Sequence, residues 1–277
     1  VHLLRADLAL KTFVDGEMGT HSNYYVIKEG FSALIHAMRD EFEKGGGVVL
    51  VRHSLLGVKK AERGATDLLV EFGRKKKDEH HGILSLRALK TCILALHSDA
   101  LKKIKGVNAM KELDHVRSLP LFRIYAIFPN PVWFKDIMRL VTHKGLRYMI
   151  PIDPEKGVVM ISYTDGKDTE EYHKVDDGSN GLRTPLEKAV MKDARALFPD
   201  KKIPDPLFFR GHYWETGVTY WIAGNYSVEE VSKNACHPLP KELPGVYVCG
   251  ESFSLKQAWV EGALEHTETC LKILDKE

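Results

Sequence analysis

Residues 245–274, GVYVCGESFSLKQAWVEGALEHTETCLKIL, constrain the fold more tightly than any other stretch of the chain. Val246, Tyr247 and Val248 are β-formers set between Pro244-Gly245 and Gly250, which predicts a short core strand. From Trp259 onward Val260, Ala263, Leu264, Thr267, Cys270, Leu271 and Leu274 recur with a helical period of about 3.6 residues, so a helix starts there. The strand therefore ends at a Gly-Glu turn, and the carboxylate of Glu251 stands near the first turn of the helix. In a mixed α/β domain, the crevice outside the carboxyl end of a strand is where ligands usually bind.

The rest of the composition sets bounds. With 277 residues and 44% hydrophobic content the chain can bury a substantial core, and one or two domains are expected. Forty basic residues stand against 38 acidic ones, so no strong field for nucleic acid or a membrane surface is implied. Four cysteines, Cys92, Cys236, Cys249 and Cys270, have no CxxC or zinc spacing and lie mostly in apolar segments, which predicts reduced, buried thiols. The histidines are scattered, and His80, His81 and His212 make no metal constellation. The chain lacks a long apolar run and a signal-peptide layout, which predicts a cytoplasmic or otherwise intracellular protein. A start at valine predicts that these residues are a piece of a longer polypeptide.

Residues 24–43 give an extended piece, a glycine turn and an amphipathic helix with Leu34, Ile35, Met38 and Phe42 on one face. After Gly45-Gly46-Gly47, the runs Val48 to Val51, Leu55 to Lys60 and Leu68 to Phe72 read as strands. The triple glycine is no phosphate loop, because such a loop follows a strand and precedes a helix, and here the order is reversed. Arg74 to Lys77 followed by Asp78 to His81 reads as a solvated hairpin loop. Thr91 to Leu96 is a buried strand leading into a helix capped by Ser98 or Asp99. Further strands are expected at Leu121 to Phe128, Arg147 to Ile150 and Val158 to Tyr163, and a helix with proline in its first turn at Pro185 to Phe198.

The segment opened above resembles the C-terminal FAD signature of the flavin-containing amine oxidase family, which includes monoamine oxidases, polyamine oxidases and lysine-specific demethylases. Val248-Cys249-Gly250-Glu251 and Trp259-Val260-Glu261-Gly262-Ala263 fall at the family's spacing. The resemblance implies an α+β or α/β two-domain fold, with a β-rich substrate domain over residues 105–225 and a cofactor domain assembled from residues 1–104 and 226–277. That cofactor domain is a partial, Rossmann-like one. The Gly-x-Gly-x-x-Gly loop that holds the ADP half of FAD does not occur in this chain, so the resemblance covers roughly the last two thirds of a complete member.

Carried over residue by residue, the resemblance implies FAD contacts from Gly250, Glu251 and Ser252, from the amide of Val260, and from Ser54 near the adenine end. A helix N-terminus carries about half a positive charge and unpaired N–H groups, which suits a reduced, anionic flavin. Trp259 and Tyr220 take the places of the two aromatic walls that guide the amine. Arg123 falls where the family has a lysine near flavin N5, and arginine is no neutral replacement because it keeps its charge. The alternative for Arg123 is a simple pairing with a carboxylate. Thr219 occupies the place of the cysteine that bonds flavin covalently in monoamine oxidases, so the cofactor is expected to be noncovalent FAD. Trp214 and Trp221 flank Tyr220, one of them at least as a packing residue.

Two functions follow from the resemblance. The first is oxidation of a small-molecule primary or secondary amine, with no nucleic-acid or membrane partner, completed by a preceding segment or a partner chain. The second is a catalytically degenerate amine-oxidase fold serving as a structural or binding protein, a virion component being one form of it. Fold alone does not choose between them.

Overall fold

A computed structural model describes residues 27–62, 67–76, 79–88, 90–142 and 145–276, and the fold is mixed α/β. Its frame is a pair of long antiparallel strands, β5 (Val116–Ile127) and β9 (Phe208–Trp221). β5 sits inside a five-stranded sheet with β7 (Tyr148–Asp153), β8 (Val158–Asp165) and the short β6 (Leu140–Val141), and β9 forms one edge. Alternation along β5 explains the layering. Phe122, Ile124 and Ala126 point into a core shared with Phe209, Met149, Ile161 and the inner face of helix α4 (Pro185–Leu197). The intervening Arg123, Tyr125 and Ile127 therefore point to the opposite face. Helix α4 starts where proline is tolerated, with the Thr184 hydroxyl accepting from the Glu187 amide at 3.1 Å.

The far ends of β5 and β9 enter a second core, in which Val116 and Trp221 pack with Leu101, Val246, Val248 and Phe253. Here β4 (Cys92–Ala95) pairs in parallel with β10 (Val246–Cys249), and a three-stranded antiparallel sheet of β1 (His53–Lys60), β2 (Leu68–Lys76) and β3 (Glu79–Ala88) contributes Val58, Leu68 and Val70. The parallel pair places the carboxyl ends of both strands together, which brings Gly250 and the residue after β4 to the same end of the molecule. A bulge lets β5 and β9 serve both cores. The register shifts between Leu119 and Leu121, and a Cβ on the facing Gly217 would lie 2.2 Å from the Leu121 Cβ, so only glycine fits there.

Three sequence expectations need correction. Val48 to Val51 form no strand; they run irregularly and Val48 is 74% exposed, because no described segment offers them a pairing edge. The helix over the preceding residues, α1 (Phe31–Lys44), does form, yet it buries no residue and Ile35 is 61% exposed. Its apolar stripe has no counterpart among the described residues. The basic run is not wholly a loop: β2 continues through Lys76 and pairs with β3, which starts at Glu79, and residues 77–78 lie outside the described residues. The short helix α2 (Ser98–Leu101) is capped by neither Ser98 nor Asp99 but by His97, whose Nδ1 accepts from the Ala100 amide at 3.3 Å.

Three of the cysteines, Cys236, Cys249 and Cys270, lie buried with Tyr247 beneath the last helix, and all four are free thiols. No described helix is long and apolar enough to cross a membrane.

Candidate functional site

The carboxyl end of β10 runs into Gly250, whose φ of 123° lies where residues with a Cβ are rarely found. A Cβ there would meet nothing within 4 Å, so the glycine serves the backbone conformation and faces open space. Glu251 follows in a single 3-10 turn (Glu251–Phe253), and its carboxylate closes a junction between distant parts of the chain. Oε1 accepts from the Thr219 amide at 3.1 Å and from the Ala258 amide at 2.8 Å. Bonds from N–H groups to a carboxylate are the stronger kind, each contributing about 1.5–3 kcal/mol where water is excluded.

Gln257 repeats the device two residues along β9. Its Oε1 accepts from the Trp221 amide at 2.8 Å, while its Nε2 donates to the Ser252 carbonyl at 2.7 Å. The edge of β9 that no strand covers is thus satisfied by two side chains from the loop before the last helix, α6 (Val260–Leu274). Tyr220 directly follows one amide bound to Glu251, and Trp259 directly follows the other. This shared oxygen brings the main chain beside Tyr220 and the main chain beside Trp259 together.

Trp259 is the N-cap of α6 and is 43% exposed, and Val260 opens the helix at 72% exposed. No side chain caps the first turn, so its amides are left to solvent or a ligand. Gly262 has a packing role, since a Cβ there would sit 2.0 Å from the Lys256 carbonyl oxygen and 2.5 Å from Ser254 Oγ. The helix is seated directly on the loop that carries Gln257. Ala258 takes a positive φ of 69°, a strain of about 1 kcal/mol that the Glu251 hydrogen bond offsets.

The other predicted residues are placed differently. Ser252 is buried rather than presented to a ligand: its Oγ accepts from the Ser98 amide at 3.0 Å and lies 3.1 Å from Thr219 Oγ1. Ser98 Oγ in turn lies 3.2 Å from Ser118 Oγ, so four hydroxyls join α2, β5, β9 and the Glu251 turn. Ser54 is exposed on β1 opposite Gly73, in the three-stranded sheet, and no described contact joins it to Glu251. Arg123 lies opposite His212, whereas Tyr220 lies opposite Arg117, six residues or about 20 Å along the same strand. Arg123 pairs with no carboxylate among the described residues; its guanidinium carbon stands 4.8 Å from the centre of the Tyr163 ring. Trp221 is a core residue, with Nε1 donating to the Ser254 carbonyl at 3.2 Å. Trp214 stays on the open face, stacked on His212 at 5.8 Å.

Sequence reading missed Gln257, the residue two before the helix cap, and the row of Tyr163, Tyr148 and His212 that Trp214 joins. The first had a weak signal, a polar side chain next to a helix start. Of the second only His212 and Trp214 carried a signal, the alternation in FRGHYW.

Over residues 4–269 the sequence matches the family described as flavin containing amine oxidoreductase. The chain belongs to that family. Among known proteins it is similar to Aplysianin-A of Aplysia kurodai, with 24% identity over 306 aligned positions covering 95% of this chain and 54% of that protein. The chain therefore spans about half the length of the curated relative it matches. Among solved structures it overlaps the flavin-dependent halogenase CmlS with a TM-score of 0.45 and 10% identity, over 87% of this chain and 38% of that one.

The residues present fit a flavin. The backbone opens at Gly250, Oε2 of Glu251 has no protein partner among the described residues, and the α6 amides are uncapped. Together they offer one acceptor and several donors around an unobstructed stretch of main chain.

Proposed function

We propose that this chain belongs to an FAD-dependent, amine oxidase-like enzyme that oxidises a primary or secondary amine to an imine, later hydrolysed to an aldehyde, with release of peroxide. The observation that carries this reading is the Glu251 oxygen shared by the amides of Thr219 and Ala258, which seats Tyr220 and Trp259 beside the amino end of α6. When bound, the flavin supplies the two-electron chemistry, and the protein supplies position and electrostatics. Gly250, Glu251 and the amide of Val260 would hold it, with the positive end of α6 directed at its electron-rich edge. Tyr220 and Trp259 would guide the amine through their ring faces, at about 0.5–2 kcal/mol. The Thr219 hydroxyl turns toward Ser252 and offers no thiol for a covalent link, which supports noncovalent FAD. The adenine and phosphate end would be held by a segment or partner chain beyond the residues described.

One observation favours a second reading. Arg123 puts a guanidinium fork where the family has a lysine, and it stands well away from Tyr220, as expected of a fold retained for binding or structure. The visible spectrum of the purified full-length protein separates the two. A yellow protein that bleaches when an amine is added without oxygen supports the oxidase, and Trp259→Ala is expected to slow bleaching at least tenfold, about 1.4 kcal/mol of barrier. A colourless protein that takes up no added FAD overturns the oxidase in favour of the scaffold.

A further inference from the structure

The face of the five-stranded sheet turned away from α4 carries three guanidinium groups set on two tyrosine rings. Arg123 of β5 lies over Tyr163 of β8 at 4.8 Å, and Tyr163 packs on Tyr148 of β7 with ring centres 5.7 Å apart. Arg139 and Arg147 lie over the Tyr148 ring at 5.2 and 5.4 Å. These strands are neighbours, so the row crosses three of them in order. Its charge is poorly balanced. Arg147 pairs with Asp168 at 3.3 Å, but Arg123 and Arg139 meet no carboxylate among the described residues. Asp165, opposite Leu121 on β8, is a further acid near the row and is engaged in an interaction of its own, and Glu171 accepts from the Gly145 amide at 3.2 Å. The Nε of Arg123 is closed off from solvent and has no acceptor, so hydrogen bonding to this guanidinium is left to its outer NH2 groups.

We propose that Arg123, Arg139 and Arg147 form a receptor for an oxyanion, the carboxylate or phosphate of a ligand lying along this face. Guanidinium forks bind both groups through paired N–H bonds. The tyrosine faces hold the cations by their ring quadrupoles, which leaves the N–H edges to the ligand. The receptor is about 20 Å along β5 from the Tyr220 position, so it stands without the flavin reading. Combined with that reading, it makes the substrate an elongated amine with an acidic end.

The test is a titration of the purified full-length protein with glutarate and, separately, inorganic phosphate, each against chloride at matched ionic strength. Calorimetry and the fluorescence of Trp214, stacked on the His212 that faces Arg123, report binding. Saturable binding of either probe supports the receptor, and the tighter probe distinguishes a planar from a tetrahedral ligand group. Arg123→Lys, which keeps the charge and loses the fork, and Arg139→Gln, at an exposed position, should each weaken binding at least tenfold. Arg139→Gln should leave the thermal midpoint unchanged, which keeps the test decisive if Arg123→Lys misfolds. Lys192→Gln should change nothing, although Lys192 lines another basic groove, of about 350 Å³, with Arg183, Lys188 and Arg195. Binding no better than chloride, or binding lost with Lys192 and kept without the arginines, overturns the proposal.

Discussion

The two ends of β9 are built on opposite terms. From Val218 to Trp221 polar groups are closed by the protein itself: the Thr219 and Trp221 amides by Glu251 and Gln257, and the Thr219 hydroxyl by Ser252. From Arg210 to Trp214 the strand belongs to an open face of rings and cations in which Arg123 keeps a buried nitrogen without an acceptor. The first region satisfies its strand amides with side chains of the same molecule; the second holds unspent hydrogen-bonding capacity. A fold tolerates such an excess where a ligand or a partner completes it.

The largest expected effect comes from breaking the closed end. Glu251→Ala strands the amides of Thr219 and Ala258 and should lower the unfolding free energy by about 2–4 kcal/mol, measured by urea denaturation. A loss under about 1 kcal/mol would mean that the junction is held by packing instead.

A smaller effect should be seen with pH beneath the same helix. His266 is buried, its Nε2 donates to the Ser232 carbonyl at 3.0 Å, and burial holds its pKa below the ordinary 6.5. The unfolded chain therefore binds this proton more readily, so stability rises with pH. The contribution is complete above 6.5 and is lost as pH falls from there toward the lowered value. Thermal midpoints measured between pH 8 and 5 should drop at the acid end, and His266→Gln should flatten that drop.

The smallest effect is reserved for the open face. Trp214→Ala, at a position 43% exposed, should change stability by no more than about 0.5 kcal/mol. A large loss in calorimetric unfolding would show that this face is a second core, and would erase the contrast with the Glu251 junction.

Much of the frame was readable from period alone. The alternation of LFRIYAIF located β5, the first-turn proline located α4, and the stripe after Trp259 located α6 within a residue. Local pattern misled where the partner was absent or the donor was diverted. Val48 to Val51 have strand composition but no described edge to pair with, and the Ser98 hydroxyl meets Ser118, leaving the cap to His97.

Ser252 shows the same limit at the site. Its place beside Glu251 suggested a ligand contact, and the fold instead set its hydroxyl between Ser98 and Thr219.

By itself the sequence determined where strand, turn and helix fall around Gly250 and Glu251, because those depend on backbone preference and on residues a few positions apart. Only the tertiary structure decided that Glu251 would take the amides of residues 219 and 258 together, and that Arg123 would rest on Tyr163 rather than on an acid. Contacts across 32 or more residues follow from strand register and from the Gly217 bulge, and no local period encodes either.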